Sequence, residues 1–261
     1  MSNLWRKDVR KTVNRRSALT ISLVLSLSML AGIAPASASP TVDPDVPAPT
    51  PACVKPCFDP PTYSIDKASS VWVVVNKQRP LSPITYVPKL AQPKFTAKGQ
   101  NPYGLFLAPE AANAMEKLFK DALAAKAGTL ILQSAYRSYN YQSVVHDRQV
   151  KRLGKTAGEA LAARPGFSEH QTGLAADIGA VGQGCLIQTC FAQTKAGAFL
   201  RTQGYKYGFI LRYPWQKTPT TGYQYEPWHM RYVGVALATE MRKRHITVLE
   251  DFWNLPAAPS Y

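Results

Sequence analysis

SEHQTGLAADIG, residues 168–179, sets His170 and Asp177 seven positions apart in a run that is mostly small or apolar. Residues 174–178 (LAADI) read as a strand, in which successive side chains point to opposite faces. Ala175 and Asp177 then share one face, and Leu174, Ala176 and Ile178 the other. A carboxylate in the middle of an apolar strand is costly to bury unless it is paired, because it gives up its hydration. Arg137 is one available partner. A metal ion is another, and His170, on a segment kept small by Gly173, supplies a second ligand type.

A second stretch, YEPWHMRYVG (225–234), carries His229 and, three positions earlier, Glu226. A strand is predicted over 225–232, and on an ideal strand positions 226 and 229 face opposite sides. Pro227 interrupts a regular ladder, so a bend can turn both groups toward one cavity. Together His170, Asp177 and His229 offer two imidazoles and a carboxylate, the three-ligand set of a catalytic zinc with its fourth position open. Glu226 is left over as a general base for a water whose pKa zinc lowers to about 7.

Outward from these motifs, the chain reads as interspersed strands and helices. SSVWVVVN (69–76) is a β-branched run suited to a strand. Pro109 opens a helix with Ala112, Met115, Phe119 and Ala122 on one face, and Gly128 stops it. Further strands are predicted at 129–134 and 208–213, and helices at 139–152, 156–163, 195–203 and 235–244. Strict alternation is absent, which favours an α+β domain over a doubly wound one.

The ends of the chain differ in composition. Six basic residues between Arg6 and Arg16, the apolar run Ala18–Ile33 and the Ala36-Ser37-Ala38 cleavage pattern read as a signal peptide over 1–38. The run is short for a membrane span, so membrane attachment is expected only through an uncleaved signal. Residues 39–62 form a proline-dense spacer, 63–255 the folded domain and 256–261 a tail. Without 1–38, 25 basic residues stand against 15 acidic ones. For an exported chain that excess suits anionic cell-wall polymers better than nucleic acid. A monomer is expected. The close pairs Cys53/Cys57 and Cys185/Cys190 suggest two local disulfides, with zinc binding by all four as the alternative.

SEHQTGLAADI followed by EPWHMRY resembles the zinc D,D-peptidases of the VanY-type D-alanyl-D-alanine carboxypeptidase family, which share a fold with the hedgehog signalling domain. The likeness covers roughly residues 69–253, including WVVVNKQRPLSPITYVP (72–88). It implies a central, mostly antiparallel sheet flanked by helices, and a secreted zinc carboxypeptidase that trims the terminal D-alanine of peptidoglycan stem peptides. His170, Asp177 and His229 correspond to the zinc ligands and Glu226 to the catalytic base. In SAYRSYNYQ (134–142), Arg137 corresponds to the arginine that polarises the scissile carbonyl or holds the substrate carboxylate. Gln142 and Ser168 match further substrate contacts. Tyr136, Tyr139, Tyr213 and Trp228 are candidates for the apolar walls of the cleft. The Cys185–Cys190 insert and the proline-rich leader lie outside the shared pattern, and no role carries over to them.

Three alternatives stay open on sequence. One is L,D-carboxypeptidase or endopeptidase action on the same zinc site. A serine enzyme would instead use Ser64-x-x-Lys67, Ser138-Tyr139-Asn140 and Thr220-Thr221-Gly222, although its third motif lacks the lysine. A wall-binding module with a structural metal would need no spare carboxylate at Glu226.

Overall fold

The computed structural model describes residues 63–261. The signal segment, the spacer and the Cys53/Cys57 pair lie outside the described residues. Four strands form one sheet: β1 (Leu130–Ser134), β2 (Ala175–Ala180), β3 (Phe209–Leu211) and β4 (His229–Tyr232). Their order is β1-β2-β4-β3 and every pairing is antiparallel, as the α+β reading expects. Around the sheet run α1 (Pro109–Ala124), α2 (Tyr139–Leu153), α3 (Lys155–Glu159), α4 (Lys195–Gln203), α5 (Thr218–Thr221), α6 (Val235–Lys243) and α7 (Leu249–Phe252).

Helix α1 starts at Pro109, whose missing N–H costs nothing at a helix N-terminus. Its face of Ala111, Ala112, Met115, Leu118, Phe119 and Ala122 is buried. That face packs on Leu130, Leu132, Ala176, Ile178 and Met230, the apolar face of the sheet. The opposite sheet face carries the polar side chains. Asp177 and Ala175 oppose His229 and Arg231, and Ile210 opposes Arg231 from the other side.

The predicted strand at 69–76 is not one. Val73, Val74 and Val75 are buried, but the carbonyls of Val71 and Val73 accept from Nη2 of Arg231 (3.0 and 2.8 Å) rather than from a neighbouring strand. The strand at 225–232 also shortens. His229 N donates to Glu226 O (3.1 Å), closing a turn around Pro227 before β4 begins. Residues 256–261 lie against the same unit, with Ala258 N donating to Thr220 O (2.8 Å).

The polar face is secured by a buried charge network. Arg212 reaches Glu250 through two hydrogen bonds (2.9 and 2.6 Å) and Glu169 through a third (2.8 Å), and Arg231 also donates to Glu169 (2.8 Å). Burial alone would raise the Glu250 carboxyl, but Arg212 and Asn76 hold it below the usual range. Because its folded pKa is depressed, the pairing stabilises the fold above the unfolded value near 4.3 and is lost as pH falls through the folded one. Glu250→Ala should cost about 3–5 kcal/mol in urea unfolding at pH 7, since it leaves half of a buried guanidinium unpaired. The gap from wild type should narrow as pH drops below about 4. Equal stability at pH 7 would show that the pair contributes nothing.

Candidate active site

Sheet register brings the first two groups together. Ile178 N donates to Trp228 O (3.0 Å), so residues 178 and 228 form a hydrogen-bonded pair. The neighbouring pair, Asp177 opposite His229, is therefore of the closer, non-hydrogen-bonded kind. Asp177 Oδ1 stands 3.3 Å from His229 Nδ1. His170 arrives from the 3₁₀ turn Glu169–Thr172, which ends at Gly173 in the left-handed conformation (φ 71°). A Cβ on Gly173 would sit 2.9 Å from Ala108 N, so only glycine lets the chain pass here. His170 Nε2 lies 3.4 Å from Asp177 Oδ2. Its Nδ1 is 2.7 Å from Ala135 O, a carbonyl that can only accept. The proton therefore resides on Nδ1, and Nε2 offers a lone pair.

These atoms fit a zinc ion. Ligands at 2.0–2.2 Å in a tetrahedron stand about 3.3–3.6 Å from one another, and each histidine stands at that distance from one oxygen of Asp177, His170 from Oδ2 and His229 from Oδ1. One ligand atom from each of His170, Asp177 and His229 can be chosen so that all lie within 4.8 Å of one another. Nε2 of His170 and Oδ1 of Asp177 are buried without a hydrogen-bond partner, a costly state that a cation would relieve. Burial, helped by Arg137, pushes His170 down to about 4, which keeps it in the neutral form that ligates. Burial also disfavours a charged His229, yet the facing carboxylates of Asp177 and Glu169 outweigh this and raise it to about 9. The site thus draws positive charge to the place where Asp177, itself held well below the carboxylate range by the two histidines against its burial, stays ionised.

Glu226 lies in the turn before β4, with its Oε2 3.8 Å from His229 Nδ1. Its backbone N donates to Tyr213 O (3.0 Å), fixing the turn to the segment after β3. Burial raises its carboxyl to about 8. Arg137, Ser168 and Trp228 line the same cleft. Arg137 Nε is buried with no hydrogen-bond partner. Asp177 takes its close contacts from the two histidines instead of Arg137. Two residues named from the sequence fall elsewhere. Gln142 is fully buried behind the wall, where Nε2 donates to Ala163 O (2.8 Å). Tyr136 is half-buried off the cleft, its backbone N bonded to Phe106 O (2.9 Å). Both sit on the segment beside Arg137 and support the cleft without lining it.

The VanY D-alanyl-D-alanine carboxypeptidase family matches residues 104–235, which contain His170, Asp177, His229, Glu226 and Arg137. The chain belongs to this family. It is 39% identical over 194 residues to a protein named as carboxypeptidase YodJ of Bacillus subtilis (strain 168), covering 72% of this chain and 69% of the relative. An Enterococcus faecium D-alanyl-D-alanine carboxypeptidase is 34% identical over 157 residues, 58% of this chain and 47% of that one. Among solved structures, the LD-carboxypeptidase LdcB superposes with TM-score 0.63 at 37% identity, covering 72% and 87% of the two chains. A VanY D,D-pentapeptidase mutant in complex with Zn(II) gives 0.59 at 31% identity, covering 72% and 100%. These neighbours share the hedgehog-like D,D-peptidase fold expected from the sequence, and zinc is the metal of the family site.

The serine alternative does not assemble in this VanY-type domain. Ser64 Oγ accepts from the backbone of Asp66 and Lys67 (both 3.0 Å), and Ser138 Oγ caps α2 by accepting from Tyr141 N (3.2 Å). Neither lines the cleft. The sequence reading did miss Glu169. It is fully buried, takes hydrogen bonds from Arg212 and Arg231, and sets Oε2 3.3 Å from His229 Nε2, the ring atom opposite the cleft-facing Nδ1. Arg231 was detectable, since it lies two positions from His229 and shares its strand face; Glu169, in a 3₁₀ turn, shows no such periodicity. Chelator-stripped protein should bind one zinc ion tightly by titration, and Asp177→Asn should lose that binding. Glu169→Gln should weaken it by about 10–100-fold by freeing the His229 ring. Wild-type affinity in Asp177→Asn would remove the residue from the ligand set.

Proposed function

We propose that this carboxypeptidase works outside the cell on peptidoglycan stem peptides, with His170, Asp177 and His229 holding zinc, Glu226 moving the proton and Arg137 binding substrate. One observation carries the reading: two imidazoles and a carboxylate whose ligand atoms lie within 4.8 Å of one another share a cleft with a second buried carboxylate and an arginine whose Nε has no partner. A structural metal would need neither of the last two.

Zinc bound there supplies Lewis acidity, making a water far more acidic than in bulk and drawing electron density from a carbonyl. Glu226 takes the proton of the attacking water on a carboxylate oxygen and delivers it to the leaving amine nitrogen. Its position beside His229, with Oε2 3.8 Å from Nδ1, lets one carboxylate serve both transfers. The planar guanidinium of Arg137 donates to the oxyanion or to the substrate's terminal carboxylate. Burial keeps the Tyr213 phenol protonated, and its ring packs 4.7 Å from that of His229 on the cleft wall.

The substrate class follows the relatives. A VanYB structure at 32% identity is a complex with D-alanine-D-alanine, and D-alanyl-D-alanine carboxypeptidases of Enterococcus faecium and Enterococcus faecalis are 34% and 35% identical. The likeness to LdcB favours a second reading, L,D-trimming of tetrapeptides. Export is supported by the signal-like residues 1–38 and by a disulfide joining Cys185 to Cys190, a bond that persists in oxidising compartments. The excess of basic residues would hold the enzyme near anionic wall polymers.

Purified protein should release D-alanine from a stem pentapeptide, lose the activity with a chelator, regain it with zinc and ignore a β-lactam. Glu226→Gln should lower kcat by at least about 100-fold while zinc content stays at wild-type level. Release from tetrapeptide alone would replace the D,D reading with the L,D one, and full activity in Glu226→Gln would remove the base.

A further inference from the structure

The Cys185–Cys190 disulfide closes a six-residue ring, CLIQTC, that lies beside the metal site. Ile187, near the middle of that ring, lines the cleft together with Val145 and Leu161, facing the same space as Arg137 and Glu226. Its backbone is left-handed, with φ 51°, and Cys185 shares that conformation at φ 57°. A β-branched side chain almost never adopts this region, because its Cβ crowds the adjoining backbone. Ile187 is nonetheless 41% exposed, so burial in the core does not hold it there.

The ring is pinned on both sides. Leu186, itself 42% exposed, rests one edge on Gly179 of β2, so close that a Cβ on Gly179 would come within 2.3 Å of Leu186 Cδ2. Gly179 is two positions beyond Asp177 and shares its strand face, so the ring is anchored next to a metal ligand. At its other end, Cys190 enters the 3₁₀ turn Thr189–Gln193, whose Phe191 is fully buried in the main core. Between these anchors the covalent bridge and the Gln188 N to Cys185 O hydrogen bond (3.3 Å) fix the turn that presents Ile187. An aliphatic residue in a left-handed backbone, held where it lines a binding cleft, points to a ligand contact.

We propose that Ile187 is a specificity-determining residue that packs against an aliphatic side chain of the peptide substrate, and that the disulfide ring exists to hold it there. The proposal rests on the peptidase reading of the cleft and adds an aliphatic contact to the aromatic wall of Tyr213 and Trp228. Val145 and Leu161 continue the apolar surface, so a peptide with a methyl or longer aliphatic group is favoured over one with glycine at that place.

The test compares wild type, Ile187→Gly, Cys185→Ser/Cys190→Ser and the triple variant on a pentapeptide ending in D-Ala-D-Ala. Glycine suits a positive φ, and the melting temperature of each variant confirms folding. Ile187→Gly should raise KM roughly tenfold, with kcat within about twofold and zinc content unchanged. Removing the bridge should raise KM comparably, and the triple variant should show no further rise, because both changes delete one contact. The preference for D-Ala-D-Ala over substrates with glycine at either position should shrink in all three. Wild-type KM in Ile187→Gly, or effects of the two changes that multiply, overturns the proposal while the activity stands. A wild-type protein that neither cleaves nor binds the peptide by calorimetry overturns the reading of the cleft, and this proposal with it.

Discussion

Glu169 is the point on which the polar side of this structure turns. One carboxylate, sealed from solvent, takes hydrogen bonds from Arg212 and Arg231 and touches the imidazole of His229. Both guanidiniums are themselves buried; without it Arg231 would lose its carboxylate partner and Arg212 would keep only Glu250. Burial by itself would raise the Glu169 carboxyl, but the paired arginines hold it far below its ordinary range, so it stays an acceptor. The same group therefore does two jobs. It neutralises the cations that tie the sheet to residues 71–73 and to α7, and it fixes which nitrogen of His229 faces the cleft.

That double role explains why the site sits where it does. Asp177, His229 and Arg231 project from one face of adjacent strands, while the other face is packed on α1. A catalytic constellation needs supports whose own positions are locked, and strands provide this better than loops. The spacing of Asp177 and His229 follows directly from their being a non-hydrogen-bonded cross-strand pair. His170 is added from a turn whose position is set by Gly173 and whose ring is set by Ala135 O. No single element holds all three ligands, so the metal site reports the correct packing of the whole sheet.

How much of this was visible in the chain depends on whether local pattern or distant packing decides it. Helix α1 and the two faces of β2 follow from the spacing of apolar residues, and Asp177 stands out because a charge interrupts that spacing. His229 and Glu226 were assigned to one cavity because Pro227 breaks the strand, and the turn that brings Glu226 beside His229 bears this out. The segment 69–76 misled for a physical reason. Its β-branched residues are buried as expected, but the carbonyls a strand would use are satisfied by the Arg231 side chain, some 160 residues away. The placement of Gln142 is likewise set by packing. A motif position does not reveal whether an amide lines a cleft or, as here, braces the carbonyl behind its wall. Glu169 was missed because no periodicity marks a 3₁₀ turn, and its partners come from β4 and from the residue after β3.

Two different means of fixing side chains meet at this cleft. The metal-side groups are held by burial, where lost hydration is recovered by paired charges and hydrogen bonds in a low-dielectric setting. A residue that must touch incoming substrate cannot be held that way, because it has to remain exposed until the substrate arrives. Exposure forfeits packing, and an isoleucine in a left-handed turn would relax to a commoner conformation if its loop were free. A covalent ring anchored by Leu186 and Phe191 supplies the missing constraint without covering the side chain. Conformational freedom is then removed before binding and not during it, which is the condition under which a small apolar contact can discriminate between substrates.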